Sequence, residues 1–317
     1  MTMSDRFHQM PWDTAPMPAT GGATDSTLPV LSPEPDEVSG GEWMIEVEAQ
    51  GATDTGLVRA SNEDQFLIAE LERLMLVRDT SIESTAPTRY RRRRQAILLA
   101  VADGMGGHAG GSMASRVVID ALAGHLLNTL PWAGVATEAD LPAADEEARR
   151  ALVACQRRLT EIADRKGLLG GKPGTTLTAA YIAWPQLLVL HVGDSRLYLL
   201  RDRQLAQLTT DHTVLPDPEH SRQRLSSSPL RHILTNAIVG GPDRAIGEVH
   251  RIHLDPNDRL LLCTDGLTEH VPDEQIAAVM TQQDDMAQVC ADLLAAARHD
   301  GGSDNITAVA ARFAARH

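Results

Sequence analysis

The order of the apolar runs in this chain constrains its fold more than any other feature. Short runs typical of buried strands follow one another without long helices between them over residues 174–212. Amphipathic segments come in two pairs, 112–130 with 141–165 and 273–282 with 284–298. A parallel α/β sheet alternates strand and helix, whereas this chain groups them. The order therefore predicts an α+β fold with largely antiparallel sheets and helices packed outside.

Composition allows a sizeable core and argues against several classes of protein. Hydrophobic residues make up 43% and aromatic residues only 3%, so Leu, Val, Ile and Ala must build the core. The net charge of −14 argues against nucleic acid or an anionic membrane as the main partner. Cys155, Cys263 and Cys290 lack the spacing of a disulfide framework. With no apolar run long enough to span a membrane and no secretory signal, we expect a cytoplasmic, monomeric protein.

Two segments differ from the rest of the chain. Residues 1–42 are rich in Pro, Gly and acidic residues and predict a disordered tail ahead of one domain over 43–317. An insertion near 70–95 ends in "RYRRRR", and we interpret it as a solvated hairpin between strands. A basic docking patch for an acidic partner is the alternative for that insertion.

A carboxylate recurs where an apolar run meets a turn. "LLAVADG" ends in Asp103 and Gly104, "LLVLHVGDS" contains Asp194, "RLLLCTDGL" contains Asp265, and "GGSDNITAV" contains Asp304. Any one of them alone would be an ordinary turn residue. If the strands are neighbours, however, the carboxylates converge at one edge, and cations are needed to offset their repulsion.

The ligand type favours hard cations. Carboxylate oxygens suit Mg²⁺ or Mn²⁺, and no Cys/His cluster indicates zinc. A pair of such ions can share a water and lower its pKa for attack on a phosphate. Arg59 is the candidate to bind that phosphate, and Glu63 and Asp64 could hold metal-bound waters. On its own, an arginine near an acidic pair is more often a surface ion pair.

The glycines after Asp103 admit a second interpretation. "DGMGGHAGG" lies between a predicted strand and a predicted helix, with Ser112 as the helix N-cap, like a dinucleotide-binding fingerprint. That fold also needs a second strand ending in an acidic residue after the helix. A loop and another amphipathic segment follow instead, so we interpret the glycines as serving Asp103.

Several strings together resemble a known family. The chain is similar to the bacterial branch of the metal-dependent (PPM, type 2C) serine/threonine protein phosphatases over roughly residues 45–313. The strings that carry the resemblance occur in the family's order: "TDTGLVRASNEDQF", "VADGMGGHAGG", "GTTLTAA", "HVGDSRLYLLRD", "LTTDHT", "RHILTNAIVGG", "LLCTDGL" and "GGSDNITAV".

The resemblance implies a fold and a site. The fold would be a two-sheet antiparallel β-sandwich flanked by pairs of α-helices. The cofactors would be two Mn²⁺ or Mg²⁺ ions, with a third, weaker ion, and a bridging hydroxide would attack phosphorus without a covalent phosphoenzyme. The implied site residues are Asp103, Gly104, Asp265 and Asp304 as direct ligands, Glu63 and Asp64 through water, Asp194 at the third ion, and Arg59 on the substrate phosphate.

The resemblance also implies partners and leaves some points open. The substrates would be phosphorylated proteins shared with a Ser/Thr kinase. Met105 stands where eukaryotic relatives have a general-acid histidine, so the group that protonates the leaving oxygen is not assigned. The segment "VLPDPEHSRQRLSSSPL" departs from the family's substrate-contacting flap. The alternative function is a non-catalytic, phosphatase-like module that binds phosphoproteins.

Overall fold

A computed structural model describes residues 45–76, 89–106, 108–129, 141–214, 233–242 and 244–315. The predicted tail over 1–42 lies outside these residues and stays a prediction. In chain order the strands are β1 (Ile45–Asp54), β2 (Gln65–Leu76), β3 (Arg89–Ala102), β4 (Gly104–Met105), β5 (Gly174–Thr175), β6 (Leu177–Ala183), β7 (Gln186–Val192), β8 (Arg196–Arg201), β9 (Gln204–Gln207), β10 (Ile238–Val239), β11 (Glu248–His253), β12 (Arg259–Cys263) and β13 (Ile306–Ala315). The α-helices are α1 (His108–Thr129), α2 (Leu141–Arg165), α3 (Asp265–Thr268), α4 (Asp273–Gln282) and α5 (Met286–His299).

The strands form two five-stranded antiparallel sheets and one small sheet. The first sheet has the order β1-β13-β12-β8-β9 and the second β11-β7-β6-β3-β2. A third, three-stranded sheet has the order β10-β5-β4, and its strand β4 begins at Gly104, two residues after the end of β3. The predicted α+β sandwich with antiparallel sheets is confirmed, because every strand pair between these elements is antiparallel.

Alternation along β3 explains how the layers are joined. Leu98 and Ala100 belong to the core beneath α1 and α2, whereas Leu99 and Val101 belong to the core between the sheets. Successive side chains of a strand point to opposite faces, so a strand buried on both faces must be apolar throughout. The continuous run "QAILLAVA" meets this requirement.

The helix pairs cover the outer faces of the two sheets. The side chains of α1 and α2 share a core with β3, β6 and β7, and those of α4 and α5 share one with β12 and β13. All three cysteines are buried and free, as expected of core residues. No α-helix within the described residues is long and apolar enough to cross a bilayer.

Two segments refine what the sequence predicts. The β2–β3 ladder continues to Leu76 and Arg89, so strands occupy both ends of the predicted insertion, and residues 77–88 lie outside the described part. Helix α1 begins at His108, so the prediction that Ser112 is its N-cap is wrong. The helix continues back through Gly111, where the absence of a Cβ lets the first turn lie directly against the Gly104 backbone, and this tertiary contact outweighs local capping preference.

Candidate metal and phosphate site

Loops and strand ends from both sheets enclose one acidic cavity of about 610 Å³. Asp103 follows β3, Asp194 lies between β7 and β8, Asp265 follows β12, and Asp304 precedes β13. The antiparallel sandwich therefore brings together residues that are far apart in the chain. The lining residues are Arg59, Ala60, Ser61, Glu63, Asp103, Gly104, Met105, Gly106, Asp194, Leu234, Asp265, Glu269, Ser303, Asp304 and Asn305.

Asp103 is held by the threonines of the "GTT" string. Its backbone N–H donates to Thr176 Oγ1 at 2.9 Å, and its carbonyl accepts from Thr175 Oγ1 at 2.7 Å and from the Thr176 N–H at 2.9 Å. Thr176 Oγ1 also lies 2.7 Å from Ser195 Oγ, next to Asp194. The threonines therefore link the backbone at Asp103 to the turn that carries Asp194.

Glycines allow the backbone to approach closely behind the cavity. A Cβ atom added to Gly111 would lie 2.0 Å from Glu63 Oε2, and one added to Gly104 would lie 2.4 Å from the Gly111 carbonyl oxygen. No side chain fits at either position without moving the backbone or the Glu63 carboxylate. In this structure Gly104 and Gly111 thus serve the packing of an acidic site.

The loop that carries Arg59 is fixed to the start of β13. Arg59 Nη2 donates to Asp304 Oδ2 at 2.5 Å, although the arginine side chain is 57% exposed. Asn305 accepts the Glu63 N–H at 2.8 Å and donates to the carbonyl oxygens of Thr55 and Ser61, each at 3.0 Å. The guanidinium therefore lies at the cavity mouth on an anchored loop.

Asp64 is the one predicted site residue that does not line the cavity. It is buried behind it, where its Oδ2 accepts from Thr264 Oγ1 at 2.8 Å and Thr307 Oγ1 at 2.7 Å. Its Oδ1 is buried and accepts no hydrogen bond from the described residues. The other predicted site residues all line the cavity.

Burial and mutual repulsion disfavour the charged carboxylates in the protein alone. Burial raises the pKa of Asp103 and of Asp265 well above the ordinary value, and neighbouring carboxylates raise them further. Burial likewise raises the pKa of Asp64 to about 6, and burial with the charge of Asp211 raises that of Asp194 to about 6. A positive ion among these carboxylates would reduce their mutual repulsion and favour their charged form.

The donor set fits a divalent cation of the hard type. Asp265 Oδ1 is buried and has no hydrogen-bond partner among the described residues, so an oxygen beside the cavity is left for another ligand. Within the same part of the chain, no three His, Cys, Asp or Glu side chains are already close enough to enclose one ion. One of the lining carboxylates, Asp304, is bonded to Arg59 instead.

Sequence reasoning missed two lining residues with identifiable roles. Glu269 lies one helical turn after Asp265, and its charge is among the causes that raise the pKa of Asp265 after burial and Asp194. The i,i+4 spacing from an aspartate at a helix start could have indicated it. Asn305 anchors the Arg59 loop, but nothing in its local sequence distinguishes an anchor from a turn residue.

Comparison with protein families identifies this arrangement. A family model described as protein phosphatase 2C matches residues 87–309. This chain belongs to the protein phosphatase 2C family. The prediction of a bacterial PPM-type family is thereby confirmed, since named bacterial members also match the chain.

Named relatives of this phosphatase-family chain are serine/threonine phosphatases. The serine/threonine protein phosphatase PstP of Mycobacterium tuberculosis is 35% identical over 266 residues, covering 82% of this chain and 43% of that protein. The serine/threonine phosphatase stp of Listeria monocytogenes is 30% identical over 267 residues, covering 82% of this chain and 94% of that protein. The chain thus spans less than half of the mycobacterial relative and nearly all of the Listeria relative.

Solved structures of family members share the fold. The crystal structure of M. tuberculosis PstP has a TM-score of 0.64 and 34% identity, covering 84% of this chain and 98% of that one. The catalytic domain of PstP in complex with two manganese ions has a TM-score of 0.62 and 33% identity, covering 85% and 99%. The likeness to a manganese-bound relative agrees with the donor set found here.

Proposed function

We propose that this chain is a Mn²⁺- or Mg²⁺-dependent phosphatase that hydrolyses phosphoserine and phosphothreonine in proteins. The observation that carries the proposal is one cavity in which carboxylates from separate strand ends face Arg59 at the mouth. Arginine matches two oxygens of a phosphate, and clustered carboxylates match hard cations. The names of the relatives support the same reaction class.

The cavity residues divide into direct and indirect ligands in this proposal. Divalent cations bound there would neutralise the carboxylates, screen the substrate phosphate and lower the pKa of a water. Asp194, which lies between β7 and β8, would serve a third and weaker ion. The direct ligands would be Asp103, the Gly104 carbonyl, Asp265 and Asp304, and the ligands through water would be Glu63 and Asp64.

Arg59 would bind and orient the substrate phosphate. Its guanidinium is exposed and lies at the mouth, and its bond to Asp304 holds it there before substrate arrives. The anchoring of its loop by Asn305 reduces the conformational entropy lost when phosphate binds. A phosphate placed in this way would present its phosphorus atom to the acidic interior of the cavity.

The reaction we propose is direct hydrolysis. A water oxygen forms a bond to phosphorus, the bond to the serine or threonine oxygen breaks, and that oxygen takes a proton. Phosphorylated proteins shared with a Ser/Thr kinase would be the substrates.

Phosphate release from a phosphothreonine peptide tests the proposal. We expect release with Mn²⁺, loss of release in excess EDTA, and loss in Asp103→Asn. Asp258→Asn is the matched control, since Asp258 is a buried aspartate outside the cavity, and it should keep the activity. A folded wild type that binds the peptide but releases no phosphate would refute catalysis and favour the non-catalytic binding module.

A further inference from the structure

His212, which does not line the cavity, makes two hydrogen bonds to the turn that carries Asp194. The N–H of Gly193 donates to His212 Nδ1 at 3.1 Å, and the N–H of His212 donates to the Gly193 carbonyl at 2.8 Å. One residue therefore bonds both peptide groups that flank Gly193. Neither His212 nor Gly193 is among the residues proposed above to bind the phosphate or the cations.

Gly193 needs such restraints. Its φ is +113°, and a Cβ added there would lie 2.6 Å from Thr176. Glycine is the residue that this conformation requires, but its freedom leaves the turn without a local preference for one arrangement. On the other side of Asp194, Ser195 is held by Thr176 Oγ1 at 2.7 Å and by Thr178 Oγ1 at 2.8 Å. His212 supplies the restraint on the glycine side.

Hydrogen bonds around His212 determine its tautomer. Nδ1 accepts from the Gly193 N–H, so it carries no proton, and Asn236 Nδ2 also lies 3.0 Å from it. The proton must then be on Nε2, which lies 3.0 Å from Glu248 Oε1. Glu248 Oε2 in turn lies 3.2 Å from His250 Nε2. Glu248 thus selects the tautomer in which Nδ1 can accept.

The ring has a fixed place as well as a fixed tautomer. The His212 side chain is 12% exposed, and its ring packs against that of buried His191 with centroids 4.9 Å apart. His191 is held by Thr178 Oγ1 at 2.9 Å and by the Thr210 carbonyl at 3.0 Å. A ring confined in this way can hold the Gly193 peptide in one orientation.

We infer that His212 is a positioning residue that sets the Gly193–Asp194 turn, and that Glu248 acts through it by selecting the Nδ1-acceptor tautomer. The inference rests on the proposed function in one respect, that Asp194 holds a divalent cation. Its effect on the reaction is then indirect, because His212 touches neither phosphate nor any predicted cation ligand among its described contacts.

Two substitutions of His212 in the full chain separate acceptor position from simple packing. In His212→Asn the side-chain oxygen can take the place of Nδ1, whereas in His212→Gln the amide extends to the place of Nε2. His253→Asn, at an exposed histidine of β11, is the matched control. We expect the Gly193 amide to exchange hydrogen about fivefold faster in His212→Gln, the effect of one lost hydrogen bond, and near the wild-type rate in His212→Asn and His253→Asn.

Mn²⁺ calorimetry and kinetics give the functional measurement. We expect His212→Gln to weaken the weakest Mn²⁺ binding event about fivefold and to raise the Mn²⁺ concentration for half-maximal rate by the same factor. The KM for the phosphopeptide should not change. In His212→Asn both quantities should stay close to those of wild type.

Three results would overturn the inference. One is a nitrogen NMR spectrum of the wild type in which Nδ1 of His212 carries the proton. Another is wild-type exchange at Gly193 and wild-type Mn²⁺ binding in His212→Gln. The third is equal loss in the Asn and Gln variants, which would indicate packing alone. A wild type without phosphatase activity would refute the proposed function instead, and the tautomer and exchange results would still decide the role of His212.

Discussion

Buried and half-buried aspartates occur in two settings in this molecule, and the settings differ in what balances their charge. Asp258 is bonded by Arg201 through Nε at 2.8 Å and Nη2 at 2.5 Å, and it also accepts the Asp255 N–H at 2.8 Å. Asp103 and Asp265 lie among other carboxylates, and Asp265 Oδ1 has no hydrogen-bond partner among the described residues.

The difference indicates which aspartates stabilise the fold and which serve a ligand. A buried carboxylate is tolerated when an arginine is placed against it, as at Asp258. Half-buried Asp211 has the same kind of partner, with Arg196 Nη2 at 2.6 Å. In the cavity the described residues offer Arg59 alone at the mouth. Carboxylates that face a cavity without a positive partner lower the stability of the fold, and a site that binds a ligand is where such a cost is retained.

Asp103→Asn gives the largest expected effect. Phosphate release with Mn²⁺ should fall by about a thousandfold, the scale of losing a group that acts on the reacting centre. The metal-free variant should have a higher melting temperature than the wild type, because a repelling charge is removed. Peptide kinetics and thermal unfolding in EDTA measure the two effects. A lower melting temperature in EDTA would mean that Asp103 is a structural aspartate like Asp258.

Arg59→Ala should raise the KM for a phosphopeptide about tenfold, because the phosphate loses a charged, two-point partner. Mn²⁺ binding should not weaken, since Asp304 loses a competing cation. Steady-state kinetics and Mn²⁺ calorimetry test both parts. Arg59→Lys, which keeps the charge without the planar fork, should lie between the two proteins. An unchanged KM in Arg59→Ala would show that phosphate binds elsewhere.

Asp258→Asn should show the opposite pattern to Asp103→Asn. It removes the charge that Arg201 Nε and Nη2 bond, whereas Asp255 Oδ2 stays 2.9 Å from Arg201 Nη1. We expect a loss of about 2 kcal/mol in the free energy of unfolding, the scale of hydrogen bonds to a charged group. Denaturant unfolding measures this loss. Phosphate release by the folded variant should equal that of the wild type. Slower phosphate release by a fully folded Asp258→Asn variant would contradict the division of the aspartates into two groups.

The smallest expected effect is a pH dependence of the metal-free protein. Asp64 and Asp194 have pKa values of about 6 in the folded chain, above that of an unfolded aspartate. Between the unfolded and folded values the folded state binds more protons, so stability falls as pH rises from about 4 to about 6. Thermal unfolding in EDTA over this range should show the decline, and saturating Mn²⁺ should reduce it. Stability rising with pH would contradict the proposed charge surplus.

The fold and most of the site could be predicted because their signals are local. The run "QAILLAVA" indicates a strand buried on both faces, and an aspartate beside a glycine at its end indicates a turn. The recurrence of that pattern predicted a common edge for Asp103, Asp194, Asp265 and Asp304, and all of them line one cavity.

The rest depends on contacts between distant segments. Ser112 has the local chemistry of an N-cap, but packing of Gly111 against Glu63 and Gly104 starts α1 earlier. The role of Asn305 depends on the loop that returns past it, and the burial of Asp64 depends on the Thr264 and Thr307 hydroxyls. No single window of sequence contains these pairs.

Mn²⁺ calorimetry on the wild-type chain, repeated in buffers of different ionisation enthalpy, tests the central claim most directly. The claim is that burial and neighbouring carboxylates raise the pKa values of Asp103, Asp194 and Asp265, and that divalent cations relieve this repulsion. It predicts binding of at least two Mn²⁺ ions per chain with release of protons near pH 6, and loss of at least one binding event in Asp103→Asn but none in Asp258→Asn. Absence of Mn²⁺ binding by the folded protein, or equal binding by wild type and Asp103→Asn, would contradict it.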